Sequence, residues 1–587
     1  MIVSCSPDHT IPIAGIEFGL TLISLALVFV APRLGFRFFH RIERAFGRLA
    51  KRRGLAVAVV GLSELLLRLA LVPLSPIPKP FTPDDFSFLL AADTFASGRL
   101  TNPTPAMWTH FETVHVSMQP TYMSMYFPAQ GLILATGKVL FGDPWFGLLC
   151  VNALMCAAIC WALQAWLPPG WAMLGGFLAV LRLGLFSYWI NTYTGGAAIA
   201  ALGGALVLGA FPRLLKDTRV RDGVLLALGI MVLAMSRPYE GLLLCLPVAV
   251  VLGRWMLTGK NRPTPAVILR RAALPLIVLT TGAAWMADYD YRAFGSPLTL
   301  PYTVNRATYA VAPYWIWQSP RPEPAYRHPV MRDFYVKQEL PVVTNFHTAA
   351  GFVVQNIFKP VNLLRFYSGI ALLAPLLMLG RTLRDRRMRF FVMSGLVLMV
   401  GMFIELVSLP HYVAPFTVAF YAIGLQCMRH LRVWALAGRP VGLGIVRVVV
   451  VMCVAMASLR AWAKPLNLQL ADWPPSAWTA NWYGPGELGA ERARVLADLE
   501  RQPGKQLVIV RYSANHNPVW EWVYNAADIE NSKVIWAREM GGAEDRKLIE
   551  YYKDRIVWLA QPDMNPVAIS PYGLPEQVPL STASRNF

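Results

Sequence analysis

Apolar runs of about 18–20 residues recur along this chain, each long enough to cross the hydrocarbon core of a bilayer. They fall at 11–31, 55–74, 145–167, 171–190, 192–211, 223–236, 240–257, 267–287, 362–380, 390–408, 412–428 and 441–463. The pattern predicts a polytopic α-helical membrane protein with about twelve crossings. Two long polar stretches, 75–143 and 288–360, interrupt the runs, and a third polar stretch begins at 464. Within the first, 127–141 reads as a helix too short to cross with certainty.

The short connections are basic. Arg33, Arg37, Arg41, Arg44, Arg48, Lys51, Arg52 and Arg53 fill the first, and Arg381, Arg384, Arg386, Arg387 and Arg389 a later one. Arg213, Lys216, Arg219 and Arg221 occupy a third, Arg254, Lys260, Arg262, Arg270 and Arg271 a fourth, and Arg429, Arg432 and Arg439 the last. Short basic loops stay on the cytoplasmic side. That places the N-terminus, both long loops and the C-terminal tail together on the outer side. In the first basic run, Leu34, Phe38, Ile42, Phe46 and Leu49 recur at helical spacing, the pattern of an amphipathic helix lying on the inner surface.

Two domains are therefore expected: residues 1–463 in the membrane and residues 464–587 outside it. In the tail, 507–510, 533–536 and 555–559 read as buried strands and 487–501 and 544–553 as helices, a small α/β layer structure. The segment after 561 is rich in Pro, Ser and Asn and is expected to be loosely held. Residues 1–10 lack the basic start of a signal peptide.

Composition agrees with a membrane setting. Of 587 residues, 55% are hydrophobic and 15% charged, against roughly 25% charged in a soluble domain. The net charge of +20 lies largely in the short loops, which assigns it to topology and not to nucleic acid. Of the seven cysteines only Cys5 lies outside the apolar runs, and no disulfide framework is visible. Cys156 and Cys160 share a helix face without a His or carboxylate beside them, so they read as packing residues.

The densest chemistry is Pro83-Asp84-Asp85-Phe86-Ser87, at the head of the first long loop. One carboxylate of such a pair can take a proton from a hydroxyl while the other orients it or binds a cation. An Asp pair after proline equally suits a helix N-terminus, where it satisfies free backbone N–H groups. Arg237 and Glu240, in Ser236-Arg237-Pro238-Tyr239-Glu240, lie at a hairpin on the same side; the guanidinium can clamp a phosphate or pair with Glu240. Arg292, Arg306 and Arg365 are further phosphate candidates, and Asp288 and Asp290 form a second acidic pair that can line a cavity or pair with Arg292. His411-Tyr412 can donate to a lipid phosphate or sit in the interfacial aromatic belt. His110 and His115 flank Glu112 at a spacing unlike a helical zinc motif, and read as loop polar groups lining a substrate cleft. No phosphate-binding P-loop, dinucleotide fingerprint or G-x-S-x-G elbow occurs in a suitable context.

The order of these parts resembles the GT-C glycosyltransferases, in particular the protein O-mannosyltransferase and aminoarabinose-transferase branch. The segments that carry the likeness are 83–92 with Gly98-Arg99-Leu100, Phe141-Gly142-Asp143, His411-Tyr412-Val413-Ala414-Pro415, the stretch 291–302, and Glu521-Trp522-Val523-Tyr524-Asn525. The resemblance implies an inverting glycosyltransferase whose donor is a sugar on a polyprenyl phosphate. It implies a catalytic Asp at the first loop, a role that falls on Asp84, with Asp85 where the family more often has Glu. Which of the two is the base stays open at this stage. A divalent cation, Mg or Mn, is a candidate cofactor, and the expected setting is the bacterial cytoplasmic membrane with its lipids, with the site facing outward. The rival reading is a transporter or flippase for a lipid-linked or anionic substrate, against which stands the lack of visible internal duplication or paired broken helices.

Overall fold

Proline sets many of the helix starts. Helices begin at Pro83, Pro128, Pro144, Pro169, Pro238, Pro265 and Pro301, where the missing N–H costs nothing and the fixed φ suits the first turn. The structure is a computed structural model describing residues 11–259, 263–468, 470–471, 477–485 and 488–573. Cys5, Lys260, Arg262 and the chain after Gly573 lie outside the described residues.

Among the described residues, seven helices are long and apolar enough to span a bilayer: Ile13–Val30, Pro144–Leu163, Ala197–Asp217, Pro238–Thr258, Pro265–Phe294, Arg386–Ile404 and Val441–Trp462. An eighth crossing is counted if Ala349–Ser368 and Ala371–Arg384, bent by 111° at their junction, form one broken span. Among the described residues these helices do not confirm the count of about twelve, and the remaining runs depart from a long, simple apolar helix in identifiable ways. The run at 171–190 is split into Pro169–Ala179, a π-helical turn Val180–Gly184 and the short Tyr188–Asn191. Val220–Ala234 and Thr417–Arg432 are only 15 and 16 residues long. Arg53–Ala70 carries Glu64 and Arg68, both fully buried. The broken helix has no matched partner among the described residues.

Helices Pro144–Leu163 and Ala197–Asp217 form the centre, with 67% of the residues in the apolar 18-residue stretch of each buried, against 6% in the corresponding stretch of Pro265–Phe294. That helix is left to face lipid. Glu17 accepts from Arg182 Nη2 at 2.9 Å and from Trp482 Nε1 at 3.3 Å. This buried pair ties the first helix to the π-turn and to the chain leaving the membrane; charge at such depth persists when paired. The basic stretch folds as the helix Phe36–Lys51, with Phe38 and Ile42 exposed along its apolar stripe.

The tail contains a four-stranded sheet. Lys505–Val510 lies between Val534–Arg538 and Arg555–Gln561, both parallel to it, and Ala568–Pro571 adds an antiparallel edge. The connection from Arg538 to Arg555 carries helix Gly542–Tyr551, while the one from Val510 to Val534 is a long loop with a single 3-10 turn at Pro518–Trp520; both are long enough for a parallel crossover. The edge strand corrects the expectation of a loosely held segment after 561. The second long loop is shorter than read, because helix Pro265–Phe294 continues through Asp288 and Arg292 and helix Ala349–Ser368 starts before 360.

The tail and first loop share one hydrophobic core, with Phe86, Leu90, Phe111 and Val116 packed among Leu507, Ile509, Tyr524 and Ile535. Phe86 stacks on Tyr524 at 4.3 Å, and Arg492 lies 4.5 Å above the Phe86 ring. Glu112 joins all three extramembrane parts. Its carboxylate accepts from Tyr309 at 2.9 Å and Arg327 at 3.3 Å, while its backbone oxygen accepts from Arg538 at 3.0 Å. The long loops and the tail thus lie on one face of the molecule.

Candidate active site

Thr82, Pro83 and Asp85 build the start of helix Pro83–Ala96 as a capping box, in which Thr82 Oγ1 accepts from the Asp85 N–H at 3.2 Å. Asp85 turns back to accept from the N–H groups of Phe81 at 3.2 Å and Thr82 at 3.1 Å. Its other oxygen accepts from Tyr193 N–H at 2.8 Å and Thr194 Oγ1 at 2.9 Å. Adjacent helical positions point about 100° apart, so Asp84 faces elsewhere. It lines a cavity of 570 Å³ between the membrane helices and the second loop.

Asp84 Oδ1 is held by His115 Nδ1 at 2.7 Å and by the Tyr126 hydroxyl, and those two groups are 3.0 Å apart. Oδ2 has no protein hydrogen bond among the described residues. Burial by itself raises the Asp84 pKa, but the hydrogen bonds and charge of His115, together with Tyr126, outweigh it and leave the carboxyl below its usual range. For Asp85 burial wins and the pKa rises despite the four donors. His115 adopts φ 62°, an uncommon conformation that costs energy in any residue but glycine. It is fixed there by Ser87 Oγ and Met125 N–H, which donate to its carbonyl at 2.7 and 3.2 Å, and by Phe334 edge-on at 5.2 Å.

The opposite wall comes from the membrane helices. Arg237 precedes helix Pro238–Thr258, donates from Nη2 to the Gly195 carbonyl at 2.8 Å, and lies 4.4 Å above the Tyr412 ring. No ion pair forms with Glu240 among the described residues, so the turn is not closed that way. Gly195, at φ 85°, has no room for a side chain, because a Cβ would sit 2.8 Å from the His411 ring. His411 Nδ1 bonds the Tyr188 hydroxyl at 3.0 Å. Burial first, and Arg237 second, push its pKa well below the usual histidine range, so the ring is neutral at pH 7. The second loop closes the cavity with Tyr302, Arg306, Tyr314, Trp315 and Glu339, the last paired with Arg306.

Of the residues singled out in the sequence, the cavity collects Asp84, His115, Arg237, Glu240, Arg306, His411 and Tyr412. It leaves out Asp85, Asp288, Asp290, Arg292, Arg365 and His110. Asp85 is consumed by the helix cap and Tyr193-Thr194. Asp288 and Arg292 pair with each other at 2.8 Å on an exposed helix face. Arg365 is half-buried in helix Ala349–Ser368 and does not line the cavity. His110 is buried 3.8 Å from Asp545, in the seam between first loop and tail. Conversely, Tyr126, Glu339 and Glu405 line the cavity without having been singled out. His115 was read as a loop group of a substrate cleft; its contact with Asp84, 31 residues away, has no local signature.

No family model matches the chain, and neither does any curated protein. Among solved structures it is similar to ArnT from Cupriavidus metallidurans in the apo state, with 13% identity over 86% of this chain and 93% of that one, at a TM-score of 0.46. It is also similar to the Archaeoglobus fulgidus oligosaccharyltransferase in complex with Zn and sulfate, with 12% identity over 86% of this chain and 67% of that one, at 0.44. The same archaeal enzyme, AglB, in complex with an inhibitory peptide and a dolichol-phosphate, gives 11% identity, coverage of 85% and 69%, and 0.41.

Proposed function

We propose that this chain is a membrane glycosyltransferase that moves a sugar from a polyprenyl-phosphate donor to an acceptor hydroxyl on the outer side of a bacterial cytoplasmic membrane. One observation carries the reading. An Asp84 carboxylate with one oxygen clamped and the other free shares a 570 Å³ cavity with Arg237, which sits at the N-terminus of a membrane helix.

The helix N-terminus and the guanidinium together favour an anion where Pro238–Thr258 meets the cavity. The lipid phosphate of the donor would lie there, its chain in the membrane and its sugar in the cavity. Asp84 Oδ2 accepts the proton of the acceptor hydroxyl. The acceptor oxygen bonds to the anomeric carbon as the bond from that carbon to the phosphate oxygen breaks, on the opposite face, and the electron pair leaves with the phosphate. The configuration inverts. Arg237 stabilises the charge that grows on the leaving group, the kind of term that dominates many enzymatic rates. Asp85, engaged by four hydrogen bonds, takes no part in the proposed chemistry, which supports Asp84 as the base.

A divalent cation, Mg or Mn, does not fit the donors present. Asp85 is saturated by four hydrogen bonds, Asp84 Oδ1 is held by two groups, and no group of three or more His, Cys, Asp or Glu is arranged around a common point among the described residues. No step is routed through a metal.

The test uses the full chain in detergent with polyprenyl-phosphate sugars carrying a labelled sugar. Cleavage of the label from the lipid is expected, and Arg237→Gln is expected to weaken donor binding about tenfold or more, the loss of a charge-assisted contact to phosphate. Donor crossing liposome membranes uncleaved would overturn the proposal in favour of the transporter reading, for which the broken helix at 349–384 provides a movable part.

The pH profile gives a second check. His115→Asn keeps a residue tolerant of φ near 60° but removes the imidazole. Burial, the largest influence on Asp84, is then less well opposed, so its pKa rises. The acid limb of transfer is expected to move to higher pH; an unmoved limb would show that His115 does not hold the base.

A further inference from the structure

Beside the Asp84 cavity lies a second one of 310 Å³, built by the second loop, with Arg306, Tyr314 and Arg321 common to both. Its remaining polar lining is Gln318 and Ser319, and among the described residues no carboxylate faces it. The nearby acids are already engaged. Glu339 pairs with Arg306, and Glu323 with Arg332 at 2.6 Å. Arg306 is further fixed by donating to the Ala312 carbonyl at 2.6 Å.

Arg321 differs. It is exposed, it has no ion pair among the described residues, and its guanidinium is tethered from Nη1 to the Arg306 carbonyl at 3.2 Å. Its backbone is rigid. Pro320 and Pro322 flank it, restricting φ on both sides and the residue between them, and its N–H donates to Val311 at 2.9 Å. Gln318 Oε1 accepts from the N–H groups of Tyr314 at 3.1 Å and Trp315 at 3.2 Å, which leaves its amide N–H₂ as the group to offer. A preorganised, unpaired guanidinium beside an amide and hydroxyl donor, with no acid in reach, is complementary to an oxyanion.

Resting on the transferase reading, we propose that this annex binds an anionic group of the acceptor, a phosphate or a carboxylate, with Arg321 as the recognition side chain. Donor and acceptor then enter from different directions. The donor phosphate meets Arg237 at the membrane helix, and the acceptor's anion meets Arg321 on the extramembrane loop. The acceptor class is a hydroxyl compound bearing phosphate or carboxylate, not a neutral alcohol.

The experiment is site-resolved labelling of arginine by phenylglyoxal on the full chain in detergent, with glycerol 3-phosphate, glycerol or polyprenyl phosphate as competitor. Glycerol 3-phosphate is expected to slow labelling of Arg321, and glycerol is not. Arg321→Gln is expected to bind glycerol 3-phosphate about tenfold more weakly, with Arg321→Lys recovering part of the loss. Equal effects of glycerol and glycerol 3-phosphate would overturn the proposal. Protection of Arg321 by polyprenyl phosphate would also overturn it, by assigning the annex to the donor. Polyprenyl phosphate that protects no arginine at all would count against the transferase reading instead, a readout separate from Arg321.

Discussion

Asp84→Asn is expected to remove transfer activity while leaving the protein folded. The substitution keeps the shape of the side chain and an oxygen for the Tyr126 hydroxyl, but takes away the proton acceptor at Oδ2. Loss of a general base lowers rates by about 10²- to 10⁴-fold. The fold is spared because Asp84 contributes nothing to the helix cap, and its side chain is 28% exposed to the cavity. Purified variant and parent should show the same thermal unfolding and the same binding of polyprenyl phosphate, and differ in turnover. A variant that turns over like the parent would remove Asp84 from the mechanism.

The neighbouring substitution should do the reverse of this and fail earlier, at folding. Asp85→Ala deletes an acceptor for the N–H groups of Phe81, Thr82 and Tyr193 and for Thr194 Oγ1, all in a place with no access to solvent. Each buried donor left without a partner costs about 1–3 kcal/mol, so a loss of at least about 3 kcal/mol is expected. The damage reaches further than one helix end, because Tyr193-Thr194 belongs to the membrane region and Thr82 to the loop. Thermal unfolding in detergent measures it. A variant with parental stability would show that the cap and the cross-link from Asp85 are dispensable.

That two adjacent aspartates divide so sharply explains what the sequence could and could not convey. Both readings of the pair, proton acceptor and helix cap, were present in the residues; the cap falls on Asp85, and the proposed proton acceptor is Asp84. Thr82-Pro83 marked the helix start, but only the position of Tyr193 decides which Asp is used up. Apolar periodicity located the spanning helices and the tail strands because each follows from a local run. It does not show where a π-turn or a buried charge interrupts a run, features invisible to mean hydropathy. Arg237 and His411-Tyr412 were legible as polar groups at the ends of apolar runs. Asp288 and Arg292 had the same appearance, and their i, i+4 spacing, which favours a surface pair, was the clue that they satisfy each other. The contact of His115 and Tyr126 with Asp84 depends on strands at 116–117 and 121–124 folding back over the helix, and no short-range pattern announces that.

The seam between first loop and tail has a consequence for how this protein can change. Phe86, two positions beyond the base, rests on Tyr524, and the oxygen of Asn525 accepts from Tyr122 at 2.9 Å. Tyr524 and Asn525, late in the chain, are therefore part of the floor beneath the helix that carries Asp84. A tail grafted from a relative would bring a foreign floor unless residues 83–124 came with it. Diversification of the tail is accordingly constrained on the face that meets Phe86 and free on the others, so the two segments, some four hundred residues apart, are bound to vary as one inherited unit.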